Sequence, residues 1–366
     1  MDTQYLTTDN ESHREAVVRR VAELLDGGAI VALPTETVYG LAVRADRPAA
    51  LARLLELKER TSDKPLTRVF ASREQALAAA RQLTPAARRL AARYWPGPLT
   101  LVVEGASGAT LGLRVPGHPW TRSVLEQVGG PVMLPSANPR AAEPALDGDG
   151  VRAYFDGRIE AVLDGGRAPL GQASSVVQAT RAELRVLREG VISAREIEAA
   201  AVAKILFVCS GNTCRSPMAE ALFRRELARR LEVSASQLEA CGFRVGSAGA
   251  AAAEGEPASE GARRAMALRK LDLSAHRSRR LIRDLLLEQD RVFVMTDSLL
   301  SSLRQIGAHP EQIQLVDASG RDVVDPFGGS MQVYEQCAAQ LEQAVSRLAG
   351  RILQEEDQEE GAISGS

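Results

Sequence analysis

Residues 204–218 read KILFVCSGNTCRSPM, and this stretch decides how the second half of the chain folds. The apolar run at 205–208 predicts a short buried strand that ends at Cys209. A small polar loop follows, and after it Ser216 is predicted to be the N-cap and Pro217 the first residue of a helix. The stretch therefore predicts a strand, a tight loop and a helix, with a thiol at the end of the strand.

The loop after this strand has the features of an anion-binding site. Successive backbone N–H groups at a helix N-terminus bind a tetrahedral dianion, and the helix dipole favours its charge. Reactive cysteines occur in such positive environments, and Arg215 adds a positive charge near Cys209. We therefore predict a thiolate that attacks phosphorus without a metal, while Arg215 and the loop amides hold the phosphate oxygens. The remaining residues of this predicted loop are Ser210, Gly211, Asn212, Thr213, Cys214 and Ser216, whose hydroxyl can donate to the thiolate.

The composition of the chain limits its class. The chain has 366 residues, 45% of them hydrophobic and 25% charged, which is typical of a soluble globular protein with two domains. A net charge of -2 excludes a globally basic nucleic-acid binder. No apolar run has the length of a membrane-spanning helix, and the polar N-terminus does not resemble a secretion signal. The four cysteines show no metal-ligand spacing, so we expect no metal site and a reducing, cytoplasmic environment.

The first domain is predicted to span residues 12–198. Short apolar segments predict its strands, among them AIVAL, VYGLAV, LTLVVEG, LGLRV, PVML, EAVLDGG, SSVVQAT and ELRVLREG. Helices occur between them without regular alternation. This pattern favours an α+β domain built on a twisted, mostly β sheet with helices.

Cationic and hydroxyl side chains collect at the ends of these strands. Lys58 and Arg60 share one loop, and Arg114 and Arg188 lie near strand ends. Short polar side chains accompany them at Thr37, Thr110, Ser136 and Ser174. Such a pocket suits a polyphosphate and a carboxylate, although each cation taken singly is more typical of a solvated surface. Spacing alone therefore predicts an anion site and no more.

Seven ordered blocks of this domain resemble the YrdC/YciO family of L-threonylcarbamoyladenylate synthases. The blocks are ALPTETVYGLA, KERTSDKPL, YWPGPLTLVV, LGLRVPGHP, LPSAN, VLDGGRAPLGQASSVV and RVLREGVIS. The resemblance implies condensation of L-threonine, bicarbonate and ATP, with Mg²⁺, to threonylcarbamoyl-AMP and pyrophosphate. It also implies that the product serves the t6A modification of tRNA, with double-stranded RNA, a tRNA or a tRNA-modifying transferase as further partners.

The resemblance assigns roles to residues of this chain. Lys58 and Arg60 match the K-x-R element expected on ATP phosphates, and Ser136 and Asn138 match the S-x-N element between threonine and nucleotide. It places Thr110 and Arg188 on the nucleotide side, and Thr37, Arg114 and Ser174 around threonine. The chain departs from the family pattern at Thr61, Lys64 and 173–177. A non-catalytic nucleotide- or RNA-binding module therefore stays open as the alternative.

The second domain is predicted at 204–353, after an Ala-rich linker at 199–203. Strands and helices alternate there, which favours an α/β doubly wound sheet of four parallel strands. In such a sheet, ligands bind beyond the C-terminal ends of the strands, where Cys209 lies. The acidic tail at 354–366 is predicted to be disordered.

CSGNTCRS followed by DPFGG is similar to the low-molecular-weight protein phosphatase family. SAG, HRSR and MTD support the resemblance. It implies a phosphoprotein substrate and no cofactor. It also implies that Asp325 protonates the leaving group and then activates water as a base.

Two positions are expected to set the specificity of this second site. Thr213 and Phe327 resemble the pattern of bacterial protein-arginine phosphatases, in which Thr213 would orient water and Phe327 would pack on a guanidinium. A phosphotyrosine-specific phosphatase is the alternative. An arsenate reductase also shares this loop, but it needs further cysteines near the first. Cys214 fits either a resolving thiol or a packed side chain.

Overall fold

The computed structural model describes residues 2–7, 11–59, 66–106, 108–305 and 307–362, and the chain forms two compact units, Met1–Ala201 and Val202–Ser366. The predicted linker at 199–203 is not a separate segment. A helix of the first unit ends at Ala201, and a strand of the second begins at Ala203. The alanines favour a helix and Ala201 is buried, so residues 199–201 fold with the first unit, whereas residues 202 and 203 belong to the second.

The first unit is built on one mixed sheet. Its strands are β1 (Gln4–Thr7), β2 (Val31–Leu33), β3 (Gly40–Arg44), β4 (Thr67–Val69), β5 (Leu99–Glu104), β6 (Thr110–Arg114), β7 (Val132–Met133), β8 (Ala161–Asp164), β9 (Ser175–Ala179) and β10 (Leu184–Arg188). The ten strands lie in the order β1-β8-β2-β3-β7-β4-β6-β5-β9-β10, with parallel and antiparallel neighbours. The predicted α+β class is confirmed.

Helices cover both faces of this sheet. They are α1 (Glu11–Asp26), α2 (Pro48–Leu57), α3 (Arg73–Ala78), α4 (Pro85–Tyr94), α5 (Pro119–Gln127), α6 (Gly148–Phe155) and α7 (Ala194–Ala201). On one face, Leu25 of α1 packs with Leu33 in a buried cluster that α5 completes. On the other face, Leu54 of α2 and Phe155 of α6 pack around Tyr39. The second of these cores includes Ala137, which lies between Ser136 and Asn138 of the predicted anion site.

The second unit contains a sheet of four parallel strands, as predicted. The strands are β11 (Ala203–Cys209), β12 (Phe243–Gly249), β13 (Arg291–Val294) and β14 (Ile313–Leu315), in the order β12-β11-β13-β14. Because β12 and β13 lie on opposite sides of β11, the chain reverses its direction of winding at β11. The C-terminal end of β11 is therefore the position at which doubly wound sheets bind ligands.

The helices of the second unit are α8 (Arg215–Leu231), α9 (Glu260–Ala267), α10 (Arg283–Leu287), α11 (Asp297–Gln305) and α12 (Met331–Ala362). The prediction of disorder from residue 354 differs from the structure, because α12 continues to Ala362. Arg291 of β13 forms an ion pair with Glu355 at 2.6 Å, which fixes this extension to the sheet. Within the described ranges, no helix has an apolar stretch long enough to cross a bilayer.

Candidate active sites

The thiol of Cys209 lies at the C-terminal end of the central strand β11. Its side chain is buried, and the strands on either side hold its backbone in place. Ser216 Oγ lies 3.0 Å from the sulfur, and the backbone N–H of Asn212 donates to the sulfur at 3.2 Å. Both the Ser216 hydroxyl and the Asn212 N–H are able to donate a hydrogen bond to the sulfur.

The helix after the loop begins earlier than predicted. Its first residue is Arg215 and its N-cap is Cys214, so Ser216 lies inside the first turn and is not the N-cap. The hydroxyl of Ser216 is directed to the thiol and is buried, where it cannot cap the backbone. Pro217 still lies in the first turn, where its missing N–H costs nothing.

Asn212 holds the loop in its curved shape. Its φ of 54° lies in the left-handed region, which asparagine tolerates better than most residues. The side-chain amide donates to Ser216 Oγ and to Ser247 Oγ, each at 2.9 Å. The side-chain oxygen accepts from the backbone N–H of Arg279 at 2.9 Å. The buried amide is thus fully engaged, which the sequence predicted only in outline.

The backbone of the loop presents its N–H groups on one side. The carbonyls of Cys209, Ser210 and Thr213 accept from the backbone of Ala250, Ala251 and Ser259, and that of Asn212 lies 2.7 Å from His276 Nε2. With the carbonyls held outward, several backbone N–H groups have no partner in the described parts of the chain; they belong to Ser210, Gly211, Thr213, Cys214 and Arg215. A tetrahedral oxyanion would satisfy them.

Arg215 and Asp325 meet at the mouth of this loop. Arg215 is buried, donates to Val323 O at 3.2 Å and forms an ion pair with the half-exposed carboxylate of Asp325. Its Nε atom is buried without a hydrogen-bond partner. A buried guanidinium N–H without an acceptor is costly, so its position favours an anionic ligand.

The two specificity positions differ in exposure. Thr213 is half-buried within the loop, whereas the Phe327 side chain is 74% exposed and its backbone N–H donates to Asp325. Cys214 points to Ser259 Oγ at 3.1 Å and to Tyr334 OH at 3.6 Å. These contacts engage Cys214 in a separate hydrogen-bonded cluster, and all four cysteines are free thiols.

The first unit contains a cleft of about 550 Å³ that is lined by residues of β4, β5, β6, β9 and β10. Six of the predicted residues line it: Lys58, Thr110, Arg114, Ser136, Ser174 and Arg188. Arg60 lies outside the described residues. Thr35, Gln178 and Arg185 also line the cleft, and sequence reasoning missed all three.

Arg114 is oriented by a carboxylate that the sequence analysis did not assign. Arg114 Nη2 donates to Glu36 Oε1 at 2.6 Å and to Thr37 Oγ1 at 2.8 Å. The second carboxylate oxygen of Glu36 accepts from the backbone N–H of Gly117 at 2.7 Å. Thr37 itself does not line the cleft but acts on it through Arg114. The only sequence feature that could have identified Glu36 was its negative charge in the PTET turn.

Arg188 brings a second positive charge to the same cleft. Its guanidinium donates to Ser174 O at 2.7 Å and to Ser174 Oγ at 3.2 Å, and Ser174 Oγ lies 3.1 Å from Thr100 Oγ1. Burial, and then the charge of Arg114, lower the pKa of Arg188. No carboxylate forms an ion pair with Arg188 among the residues that the structure describes. Of the two neighbouring cations, Arg114 pairs with the carboxylate of Glu36, so Arg114 and Arg188 together keep a net positive charge that attracts an anion.

Lys58 joins the S-x-N segment. Its ammonium donates to the carbonyls of Ser136 and Asn138 and lies 3.2 Å from Asn138 Oδ1. Ser136 Oγ donates to that same oxygen at 2.6 Å. Three residues that the sequence placed on nucleotide and threonine are therefore connected in one network. Across the described ranges, no group of three or more His, Cys, Asp or Glu side chains could hold a metal ion.

Two family models match the chain. The Sua5/yciO/yrdC model, described as telomere recombination, matches residues 23–190. The model of the low molecular weight phosphotyrosine protein phosphatases matches residues 204–359. The first model lies within the unit Met1–Ala201, and the second lies within the unit Val202–Ser366.

Curated relatives match the first unit. The threonylcarbamoyl-AMP synthase of Pyrococcus abyssi is 35% identical over 197 residues, which are 51% of this chain and 58% of the relative. The putative threonylcarbamoyl-AMP synthase of Mycobacterium leprae is 32% identical over 206 residues, which are 54% of this chain and 93% of the relative. The chain therefore spans little more than half of the first relative and nearly all of the second.

Solved structures match the second unit. The YwlE arginine phosphatase from Geobacillus stearothermophilus is 32% identical, with 43% of this chain and 96% of that chain covered and a TM-score of 0.37. A low molecular weight protein tyrosine phosphatase from T. tengcongensis is also 32% identical, with 41% and 99% covered and a TM-score of 0.36.

Proposed function

The chain belongs to the Sua5/YciO/YrdC family through its first unit and to the low molecular weight protein phosphatase family through its second, and on this premise we propose that it is a bifunctional enzyme. The first unit would form an acyl adenylate from an amino acid. The second would hydrolyse a phosphoprotein through a covalent intermediate. Two separate sites, one in each unit, support two separate reactions.

For the first unit we propose synthesis of threonylcarbamoyl-AMP from L-threonine, bicarbonate and MgATP. The threonine amine first condenses with bicarbonate to a carbamate, with loss of water. A carbamate oxygen then attacks the α-phosphorus of ATP, the bond from this phosphorus to the bridging oxygen breaks, and pyrophosphate leaves. Both reactants are anionic, so cations must offset their repulsion. The pair of Arg114 and Arg188 in one cleft is the observation that carries this proposal. Mg²⁺ would enter with the triphosphate as part of the substrate.

Within this cleft we propose a division of roles. Arg114, oriented by Glu36 and Thr37, would hold the threonine carboxylate. Lys58, Asn138, Thr110 and Arg188 would contact the nucleotide, with Ser136 and Ser174 between the two substrates; Arg60 is proposed beside Lys58 from the sequence alone. The product is suited to the t6A modification of tRNA, which makes a tRNA-modifying transferase the proposed consumer of the product.

Pyrophosphate release tests the first proposal. The full chain should release pyrophosphate only when ATP, L-threonine and bicarbonate are all present, and Arg188→Gln should reduce the rate at least tenfold. Cys209→Ser, which alters only the second site, is the matched control and should leave the rate unchanged. Absence of release from the wild-type protein would favour the non-catalytic nucleotide- or RNA-binding module.

For the second unit we propose a phosphatase that works through phosphocysteine. The Cys209 thiolate attacks phosphorus, and the leaving group takes a proton from Asp325 as the ester or amide bond breaks. Asp325 then removes a proton from the water that cleaves the sulfur–phosphorus bond, and phosphate is released. The unpartnered loop amides together with Arg215 Nε are the observation that carries this proposal. They stabilise the equatorial oxygens of the transition state.

We further propose phosphoarginine as the preferred substrate of this site. Thr213 places a hydroxyl in the loop, where it can orient the attacking water. The exposed ring of Phe327 can stack on a planar guanidinium beside Asp325. A phosphotyrosine phosphatase is the second candidate, supported by the equal identity to a tyrosine phosphatase.

Turnover of paired peptides tests this specificity. Peptides that differ only in phosphoarginine or phosphotyrosine should be hydrolysed with a higher kcat/KM for phosphoarginine. Thr213→Ile should reduce or reverse the ratio, because it removes the hydroxyl and narrows the loop. A wild-type preference for phosphotyrosine would contradict the arginine assignment but would leave the phosphatase proposal intact.

A further inference from the structure

Arginines crowd one segment beside the phosphate-binding loop, and the proposed chemistry does not use them. Residues 277–283 read RSRRLIR, with four arginines and no acidic residue, and all four arginines are exposed. We propose that this segment, the basic run, binds carboxylate side chains that flank the phosphorylated residue of the protein substrate. The inference rests on the proposed phosphatase function and adds a substrate class to it.

The basic run is fixed to the catalytic loop. His276 Nε2 lies 2.7 Å from Asn212 O, and the backbone N–H of Arg279 donates to Asn212 Oδ1 at 2.9 Å. Arg280 pairs with Gly249 as an isolated bridge at the end of β12. A Cβ on Gly249 would lie 2.8 Å from Asn212 N, so Gly249 itself touches the loop. The run therefore lies at the same edge of the sheet as the thiol.

The hydrogen bonds that the guanidinium groups of the run donate go to backbone carbonyls. Arg277 donates to two backbone carbonyls, and Arg279 Nε donates to Ser247 O at 2.7 Å. Among the described residues, no carboxylate forms an ion pair with any arginine of the run. Glu254 lies close, and its carboxylate accepts from the backbone N–H of Arg280 at 2.7 Å. An acidic segment of the protein substrate would therefore contact several arginines beside the phosphate-binding loop.

The side chains around the run suit a protein partner. Ile282 lies inside the run and is 57% exposed. Apolar side chains interspersed with arginines are typical of protein interfaces, whereas nucleic acids are held mainly by cations on their phosphates. We therefore infer an acidic peptide segment and not an RNA.

Peptide turnover by the full chain tests the inference. Two peptides are compared: in one the phosphorylated residue lies between aspartates, and in the other it lies between asparagines. Each peptide is made once with phosphoarginine and once with phosphotyrosine. At low salt we expect a kcat/KM about tenfold higher for the aspartate peptide, falling as ionic strength rises. The double variant Arg277→Gln/Arg280→Gln should reduce this preference to about twofold. Arg263→Gln, a matched change of an exposed arginine on α9, should not alter it.

Hydrolysis of p-nitrophenyl phosphate separates the possible failures. This small substrate reaches the thiol without the run, so the double variant should retain its rate within twofold. Equal kcat/KM for the two peptides, with hydrolysis of the small substrate intact, would overturn the inference alone. If the wild-type protein did not hydrolyse p-nitrophenyl phosphate, the phosphatase proposal would be overturned. RNA that competes with the aspartate peptide for the run would show a nucleic-acid surface instead.

Discussion

At the scale of single residues, Glu36 has the clearest unassigned role, because it holds Arg114 from a position 78 residues away in the sequence. Glu36→Gln removes the charge that fixes this guanidinium but keeps the shape of the side chain. We expect the KM for L-threonine to rise about tenfold, with a smaller change in the KM for ATP, since charge-assisted hydrogen bonds contribute about 1.5–3 kcal/mol.

Pyrophosphate release at varied threonine measures this effect. Glu23→Gln is the matched control, because Glu23 forms an exposed ion pair with Arg20 on α1, where the same change should have little consequence. An equal rise in both KM values would show that Glu36 supports the cleft as a whole and does not position Arg114.

Asn212 permits a separation of backbone and side-chain contributions. Asn212→Ala loses the bonds to Ser216, Ser247 and Arg279 and also places alanine at a φ of 54°. Asn212→Gly loses the same bonds but has no left-handed penalty. We expect the alanine variant to be less stable than the glycine variant by about 1 kcal/mol.

Urea unfolding of the second unit measures this difference. Both variants should lose phosphatase activity about a hundredfold, because the loop amides are no longer held in place. If the alanine and glycine variants were equally stable, the loop would have to accept another backbone conformation at this position.

The sequence predicted single residues best where the chemistry is local. Cys209, Ser216 and Arg215 lie within one short segment, so the contacts of Cys209 with Ser216 and of Arg215 with Ser210 follow from the strand, loop and helix alone. Glu36 could not be assigned, because only the folded sheet brings it to Arg114. The prediction for Ser216 was wrong in its role: Ser216 is a good capping residue and was predicted to be the N-cap, but its hydroxyl contacts the Cys209 thiol.

At the scale of elements, Glu226 connects α8 with α12. Its carboxylate accepts from Arg229 at 2.9 Å, from Arg230 at 2.8 Å and from Ser346 of α12 at 3.2 Å. The hydrogen bond from Arg229, aided by Arg230 and Ser346, lowers the pKa of Glu226 to about 2. The folded state therefore binds this proton less readily than the unfolded state does.

The sign of this shift predicts a pH dependence. Glu226 contributes stability above about pH 4.5, and the contribution disappears as the pH falls towards 2. Glu226→Gln should destabilise the second unit by about 1 kcal/mol at pH 7 and by much less at pH 2.5. Glu260→Gln, in an exposed pair with Arg264, should cost only a few tenths of a kcal/mol at either pH. A difference independent of pH would contradict this role of the carboxylate.

Most elements were predictable from apolar periodicity, and the exceptions share a cause. β4 has only three residues, TRV, and exists because β6 and β7 pair with it on both sides. The helix α6 begins with glycines that are typical of a loop, yet Asp147 caps it through the N–H of Gly150. The end of α12 was predicted as disordered from its acidic composition, but an ion pair with Arg291 holds it. In each case the local structure depends on a partner that apolar periodicity does not show.

At the scale of the whole molecule, each unit has its own buried cores. Phe207 of β11 is fully buried and packs against Phe223 and Phe293, with ring centroids 5.3 and 5.7 Å away. Phe155 of α6 is fully buried in a core of the first unit. Replacing either ring by alanine leaves a cavity that costs about 3–5 kcal/mol.

Calorimetry of the full chain should therefore show two transitions that respond independently. Phe207→Ala should lower only the transition that vanadate, as a phosphate analogue, raises in the wild-type protein; Phe155→Ala should lower only the one that ATP with threonine raises. For units of this size the expected fall is about 10 °C. If either variant shifted both transitions equally, the two units would unfold as one cooperative body, and the two proposed activities could not be separated by destabilising one core.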